Sequence, residues 1–193
     1  MRDTSWFDLI AAATAVLIVA FGAVAMAYPA ASVPSAALGG PATNPTVYRN
    51  LTITFNPATG TFDYSTNAIA VPTGATVVFT ITNYDPSIAM VPNASDARVV
   101  GTVGGVMTVH ANGQSTVVSS VAVGDIAHTF TISSGAYHLN VPIPPASASD
   151  APTSVTFSVT FNVPGTYTWG CVVLCGPEST MTQDKMYGSL TIS

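Results

Sequence analysis

Along most of this chain apolar and polar residues alternate, which is the period of a strand with one buried face. Residues 46–55, ending VYRNLTITF, predict a first strand, and Asn56-Pro57-Ala58-Thr59-Gly60 a turn after it. Residues 62–70 contain a second short strand, followed by the turn Val71-Pro72-Thr73-Gly74. ATVVFTITN, 75–83, is a third strand. Residues 105–111 and 114–123 flank Asn112-Gly113, the strongest short hairpin signal. Residues 126–132 and the clean alternation VTFSVTFNV at 155–163 add two more strands, and 190–192 a last short one. Helical periodicity is missing from all of these stretches, so the exported part reads as an all-β sandwich.

One segment breaks the pattern. Trp6 to Ala27 is almost entirely apolar with Asp8 its lone charge, and its 22 residues would span roughly 33 Å as a helix, enough for a bilayer core. Trp6 and Tyr28 fall at its ends, as interfacial aromatics do. Residues 1–28 are therefore expected to be a single-pass transmembrane anchor with its amino terminus in the cytoplasm. Ala25-Met26-Ala27 also fits a signal-peptidase site. Either way the remainder is exported, extracellular or periplasmic. Residues 29–45 form a Pro/Ala/Gly linker, and 46–193 the sandwich domain.

Composition narrows the function. Charged residues are 7% of the chain and the formal net charge is −5. So few Lys and Arg exclude a nucleic-acid footprint. Two cysteines, Cys171 and Cys175, lie in the stretch PGTYTWGCVVLCGPESTMTQDKMYGSLTIS that closes the chain. The same stretch holds Met181, Met186 and Glu178, the chain's one glutamate. Soft sulfur donors on a loop between strands suit copper rather than magnesium or calcium. A disulfide is the competing reading in an oxidising compartment.

At this loop the sequence resembles the cupredoxins, most closely the exported domain of haem-copper (cytochrome c) oxidase subunit II. Cys171, Cys175 and Gly176 stand where that family has its Cys-x3-Cys-Gly motif, and Pro164-Gly165-Thr166-Tyr167 matches its lead-in. Asp125-Ile126-Ala127-His128-Thr129-Phe130 resembles its Asp-Val-x-His-x-Phe pattern, and Met186-Tyr187-Gly188-Ser189-Leu190 its closing Met-x-Gly-x-Leu. The family's loop histidine and methionine positions are Ser179 and Thr182 here. A four-residue insertion would bring Met186 into the methionine's place.

The resemblance implies a Greek-key β-sandwich holding one or two copper ions, with His128, Cys171, Cys175 and Met186 as ligands and Met181 and Glu178 as spare donors. It implies an electron-transfer subunit that is not catalytic alone. Such a subunit would pass electrons from an external donor protein or quinol to subunit I of a respiratory oxidase. Two alternatives stay open. One is a copper-free structural subunit of a quinol oxidase with a Cys171–Cys175 disulfide. The other is a freestanding carrier resembling sulfocyanin, whose loop has one cysteine and a histidine. His110, beside the hairpin turn, and His138 read as hydrogen-bonding surface residues. Residues 91–124, additional to the family pattern, read as a decorative loop bearing the hairpin.

Overall fold

The computed structural model describes residues 44–58, 60–174 and 186–193. The anchor, all but the last two residues of the linker, Cys175, Glu178 and Met181 lie outside the described residues. Among the described residues no helix is long and apolar enough to cross a membrane.

Eleven strands form two sheets. In chain order they are β1 Thr46–Asn56, β2 Thr61–Tyr64, β3 Ala68–Val71, β4 Thr76–Asn83, β5 Met107–Ala111, β6 Gln114–Val118, β7 His128–Ile132, β8 Leu139–Ile143, β9 Thr153–Thr160, β10 Gly165–Gly170 and β11 Tyr187–Ile192. The six-stranded sheet runs β2-β1-β4-β9-β5-β6 and the five-stranded sheet β3-β11-β10-β7-β8. β1 with β4 and β3 with β11 are parallel; the other strand pairs are antiparallel.

The stretch 62–70, expected to hold one strand, divides between the two sheets. β2 ends at Tyr64 and β3 begins at Ala68, pairing with opposite sheets. Thr66 makes the corner, its hydroxyl accepting from the Ala68 N–H at 3.2 Å and donating to the Ala68 carbonyl at 3.0 Å.

The alternation buries one face of each central strand. In β4, Val77, Phe79 and Ile81 are fully buried, and in β9 Val155, Phe157 and Val159 face them. Their outward neighbours are hydroxyl residues that pair across the strands: Thr76 with Thr160 at 3.1 Å, Thr80 with Thr156 at 3.4 Å and Thr82 with Ser154 at 3.0 Å. Such cross-strand pairs contribute about 0.2–1 kcal/mol each. Between the sheets lies an aromatic cluster. Phe79 stacks on Phe157 (centroids 5.2 Å apart) and packs on Phe130 at 5.4 Å. Phe130 in turn stacks on Trp169 at 5.1 Å, and Tyr64 meets Trp169 edge-on at 5.0 Å.

Residues 91–124 do more than decorate. Asn112 and Gly113 both have positive φ, as the tight hairpin turn requires. β5 pairs with β9, so the hairpin extends the six-stranded sheet. The segment before it docks on the other sheet: Val100 and Asn140, in β8, exchange both backbone hydrogen bonds at 2.9 and 3.0 Å. The Asn140 amide donates to the Asp96 and Arg98 carbonyls at 2.9 and 2.7 Å. The insertion thus straps an edge of one sheet to an edge of the other. The sequence shows the hairpin but not these long-range pairings.

Where the strap touches β8, Gly101 has φ +77°, and a Cβ there would collide with the His138 carbonyl. Gly113 has nearly the same backbone (φ +73°) with open space around it. Gly113→Ala is expected to cost only the left-handed backbone penalty of about 1–2 kcal/mol. Gly101→Ala should cost clearly more, since the collision adds to that penalty. Chemical denaturation of the two variants checks the difference, and equal losses would mean the strap is not held at this point.

Candidate metal centre

The site lies where β7 begins and β10 ends. β7 starts at His128, whose side chain is buried, because Phe130 and Ile132 share its inward face. β10 carries Trp169 into the core, and Cys171 follows two residues later, half-buried. The backbone ladder between β7 and β10 is reduced to the Gly170–Thr131 pair. Side chains take over from there. The Thr129 N–H donates to Cys171 Sγ at 3.4 Å, and the Val172 N–H donates to Thr129 Oγ1 at 2.9 Å. Two strands that are drawing apart are thereby held around a sulfur atom.

His128 and Cys171, 43 positions apart in the chain, come close enough for the sulfur to act on the imidazole. Nε2 of the ring lies 3.0 Å from Asp85 Oδ2, and the His128 and Asp85 side chains are almost completely buried. Phe62 flanks the ring, its centroid 6.3 Å away. Burial alone would lower the His128 pKa, but the Asp85 carboxylate and the Cys171 sulfur outweigh burial and push it up to about 9. For Asp85, burial acts to raise the pKa. Hydrogen bonds from His128 and Ser87 outweigh that and hold it below the usual carboxylate value of 3.8.

Around the sulfur is a small apolar cluster of Ala89, Ala97, Ile126 and Val173, with Val91, Val121 and Cys171 packed on it. Ala97 and Val121 belong to the insertion, which therefore also shields the site. Both ends of the closing loop are fixed. Leu174 bridges to Met90 through hydrogen bonds of 2.9 and 3.3 Å, and the Cys171 N–H donates to the Met186 carbonyl at 2.8 Å. Met186, partly buried against the main core, stands opposite Cys171 where the chain returns into β11.

Of the expected ligands, then, His128 and Cys171 come together and Met186 lies beside Cys171 in the backbone. Cys175, Glu178 and Met181 lie outside the described residues. His110 is not a ligand. Its Nδ1 bonds Ser115 Oγ at 2.7 Å and its Nε2 bonds Thr156 Oγ1 at 3.3 Å, on the outer hydroxyl face. His138 is exposed next to Leu139, which pairs with Ile132 at the far end of β7 from His128; four residues of strand separate the ends by roughly 13 Å. Two residues of the site carried no sequence signal. Asp85 lies in the short stretch Asn83-Tyr84-Asp85-Pro86 that leaves β4, and Thr129 is an ordinary strand threonine until its hydroxyl is seen bonding the Val172 N–H.

Among the described residues no group of three or more His, Cys, Asp and Glu side chains could hold a metal ion. The two donors that do converge, a cysteine sulfur and an imidazole, suit copper in kind.

No family model matches the sequence, and no curated protein matches it. Solved structures with a similar course of the chain include two of rusticyanin. Reduced rusticyanin is 14% identical over 78% of this chain and 81% of its own, with a TM-score of 0.41. Rusticyanin from Thiobacillus ferrooxidans is 13% identical over 78% and 79%, with a TM-score of 0.40. A multicopper oxidase from Campylobacter jejuni, described as a metallo-oxidase, is 9% identical over 79% of this chain and 31% of its own, with a TM-score of 0.43. The fold itself is two facing sheets with parallel β1–β4 and β3–β11 pairings.

Two outcomes are expected. The folded state holds the His128 proton more tightly than an unfolded chain does, so its contribution to stability is complete below about pH 6.5 and lost as pH rises through about 9. Asp85 contributes above its ordinary value and loses that contribution as pH falls through its lowered one. The metal-free protein should therefore be most stable between about pH 4 and 6.5 and lose on the order of 2 kcal/mol by pH 9.5; Asp85→Asn should flatten the curve. Unfolding midpoints across that range check it. Separately, Thr129→Val leaves the Val172 N–H without its acceptor and should cost about 1–3 kcal/mol. The readout is faster hydrogen exchange at the Val172 amide, and unchanged exchange would remove Thr129 from the account.

Proposed function

We propose that this chain is a copper electron-transfer protein, with copper held at the Cys171 end of the sandwich by His128 and Cys171 and completed by Cys175 and Met186, with Met181 and Glu178 as further donors. The observation that carries this reading is the convergence of His128 and Cys171. Each is brought in by its own strand, the imidazole oriented through Nε2 and the sulfur bonded by a backbone N–H. Bound there, copper would supply a one-electron couple, its lower state favoured by sulfur donors.

What the chain's own residues do follows from their setting. Thr129 holds the sulfur in place, and the Ala89–Ile126–Val173 cluster keeps water from it. Donors fixed by strands and buried hydrogen bonds move little when charge changes, which suits a relay rather than bond-making chemistry.

The finer reading is that the chain is membrane-anchored by residues 1–28 and serves as the subunit of a haem-copper oxidase that resembles subunit II. It would take electrons from an external donor protein or quinol and pass them to subunit I. The loop residues Cys171, Cys175 and Gly176 and the His128 register support it.

The test is metal content with electron paramagnetic resonance on the full-length chain in detergent, loaded with copper under mild reduction and then reoxidised. One copper with a blue-type signal is expected of a mononuclear relay, and two coppers sharing one unpaired electron of a binuclear centre. In either case Cys171→Ser and His128→Ala should lose the signal. No uptake, with both thiols blocked, would overturn the copper reading and leave a structural subunit with a Cys171–Cys175 disulfide.

A further inference from the structure

Two open sheets leave four edge strands, β2 and β6 in one and β3 and β8 in the other. An edge presents a row of unpaired N–H and C=O groups, and proteins blunt it with short strands, charges, proline or a covering segment. Three of the edges here are managed in these ways. β2 is four residues long and carries Asp63, whose carboxylate accepts from Asn56 Nδ2 at 2.7 Å and Thr61 Oγ1 at 3.1 Å. On β3 the Ala70 carbonyl is taken by the guanidinium of Arg49, reaching across from β1. On β8, Asn140 is paired with Val100 of the insertion.

β6 has none of these devices. From Val99 to Gly124 the chain holds no Asp, Glu, Lys, Arg or Pro. Gln114 to Val117 are exposed, Val117 by 65%. Among the described residues β5 is the one strand paired with β6. The turn between them has two residues, both at positive φ, so its flanking pair, Ala111 and Gln114, exchanges both backbone hydrogen bonds. Antiparallel pairs alternate from there. Gln114, Thr116 and Val118 therefore turn their backbone groups toward β5, and Ser115 and Val117 turn theirs outward. The next outward group, the Ser119 carbonyl, already accepts the Val99 N–H at 2.9 Å.

We propose that β6 is a self-association edge: a second copy of this chain adds its own β6 antiparallel, on a two-fold axis through Thr116, and the two six-stranded sheets become one. The inference is independent of the copper reading. Three observations select a second copy over an unrelated strand. The outward groups lie symmetrically about Thr116, so Ser115 of each copy exchanges backbone hydrogen bonds with Val117 of the other. The free edge is closed at Ser119 by Val99, and a partner β6 is just short enough to fit, because its own Asn112-Gly113 turn ends it there. The whole stretch is uncharged, so two copies of a chain of net charge −5 meet at this edge without opposing like charges. A pairing this short buries less than the roughly 1,200 Å² of a standard stable interface, so association is weak and depends on concentration.

The test is sedimentation equilibrium of the full-length chain in detergent, from micromolar to millimolar concentration, for wild type, Thr116→Lys and Thr116→Glu. Thr116 is exposed, and across the axis it would face its own copy at roughly 4.5 Å between Cα atoms. Wild type should dimerise as concentration rises. Each variant alone should associate about fivefold more weakly, because like charges then stand directly opposite. A mixture of the two should recover the loss. In wild type the Ser115 and Val117 amides should also exchange hydrogen more slowly at high concentration, read residue by residue by nitrogen-15 resonance. That second readout needs no variant to fold. A wild type that stays monomeric throughout overturns the proposal. So does a dimer whose Ser115 and Val117 amides exchange as fast as in the monomer, or folded variants that associate within about twofold of wild type.

Discussion

The contact between Phe79 and Phe130 fixes how one sheet lies on the other, and the site is a consequence of it. Phe79 sits in β4, which runs on to Asn83 and Asp85; Phe130 sits in β7, which starts at His128. Trp169 stacks on Phe130 and precedes Cys171 by two residues. Three rings packed in the core therefore stand within six residues of Asp85, His128 and Cys171. Core rings interlock at near-crystalline density and cannot slide without opening voids. The distance between Asp85 and His128, and the approach of Cys171 to His128, are set by packing rather than by the loops that carry Asp85 and follow Cys171.

The same constraint explains why polar groups can be buried here at all. An imidazole and a carboxylate enter a low-dielectric region only if each finds its partners in place. Asn83 and Ser87 satisfy the Asp85 end, and the Asp85 carboxylate and the Cys171 sulfur both favour the charged ring. The insertion contributes through Ala97 and Val121, which complete the apolar cluster against which Cys171 packs. By bridging an edge of each sheet it also holds closed the side of the sandwich nearest that cluster. A segment that looks additional in sequence is thus part of what keeps the site dry.

What could be read from the sequence was local. Alternation located β1 and β4 to within a residue and β9 to within three, and Asn112-Gly113 placed the hairpin, because a pleated half-buried strand and a tight turn write their requirements into neighbouring residues. His128 and Cys171 were singled out by a family resemblance in their short patterns rather than by alternation, and the structure brings them close together. The division of 62–70 between two sheets was not, since alternation tells which face is buried but not against which sheet. Asp85 was hidden more deeply. Its importance comes from a histidine 43 positions away, and nothing in Asn83-Tyr84-Asp85-Pro86 distinguishes a metal-site carboxylate from a turn. The strap formed by the insertion depends on Val100 meeting Asn140, a pairing that neither segment announces.

Sequence and structure together define the problem the closing loop has to solve. Cys171 is bonded to Thr129 and, through its N–H, to Met186; Leu174 is bridged to Met90. The chain thus leaves the described part of the site at a fixed point and re-enters it at another. His128 is held from behind by a carboxylate and cannot turn without exposing a buried charge. With His128 and Cys171 set in this way, the geometry between them is chosen by β7 and β10 and by the rings that pack behind them, not by the closing loop.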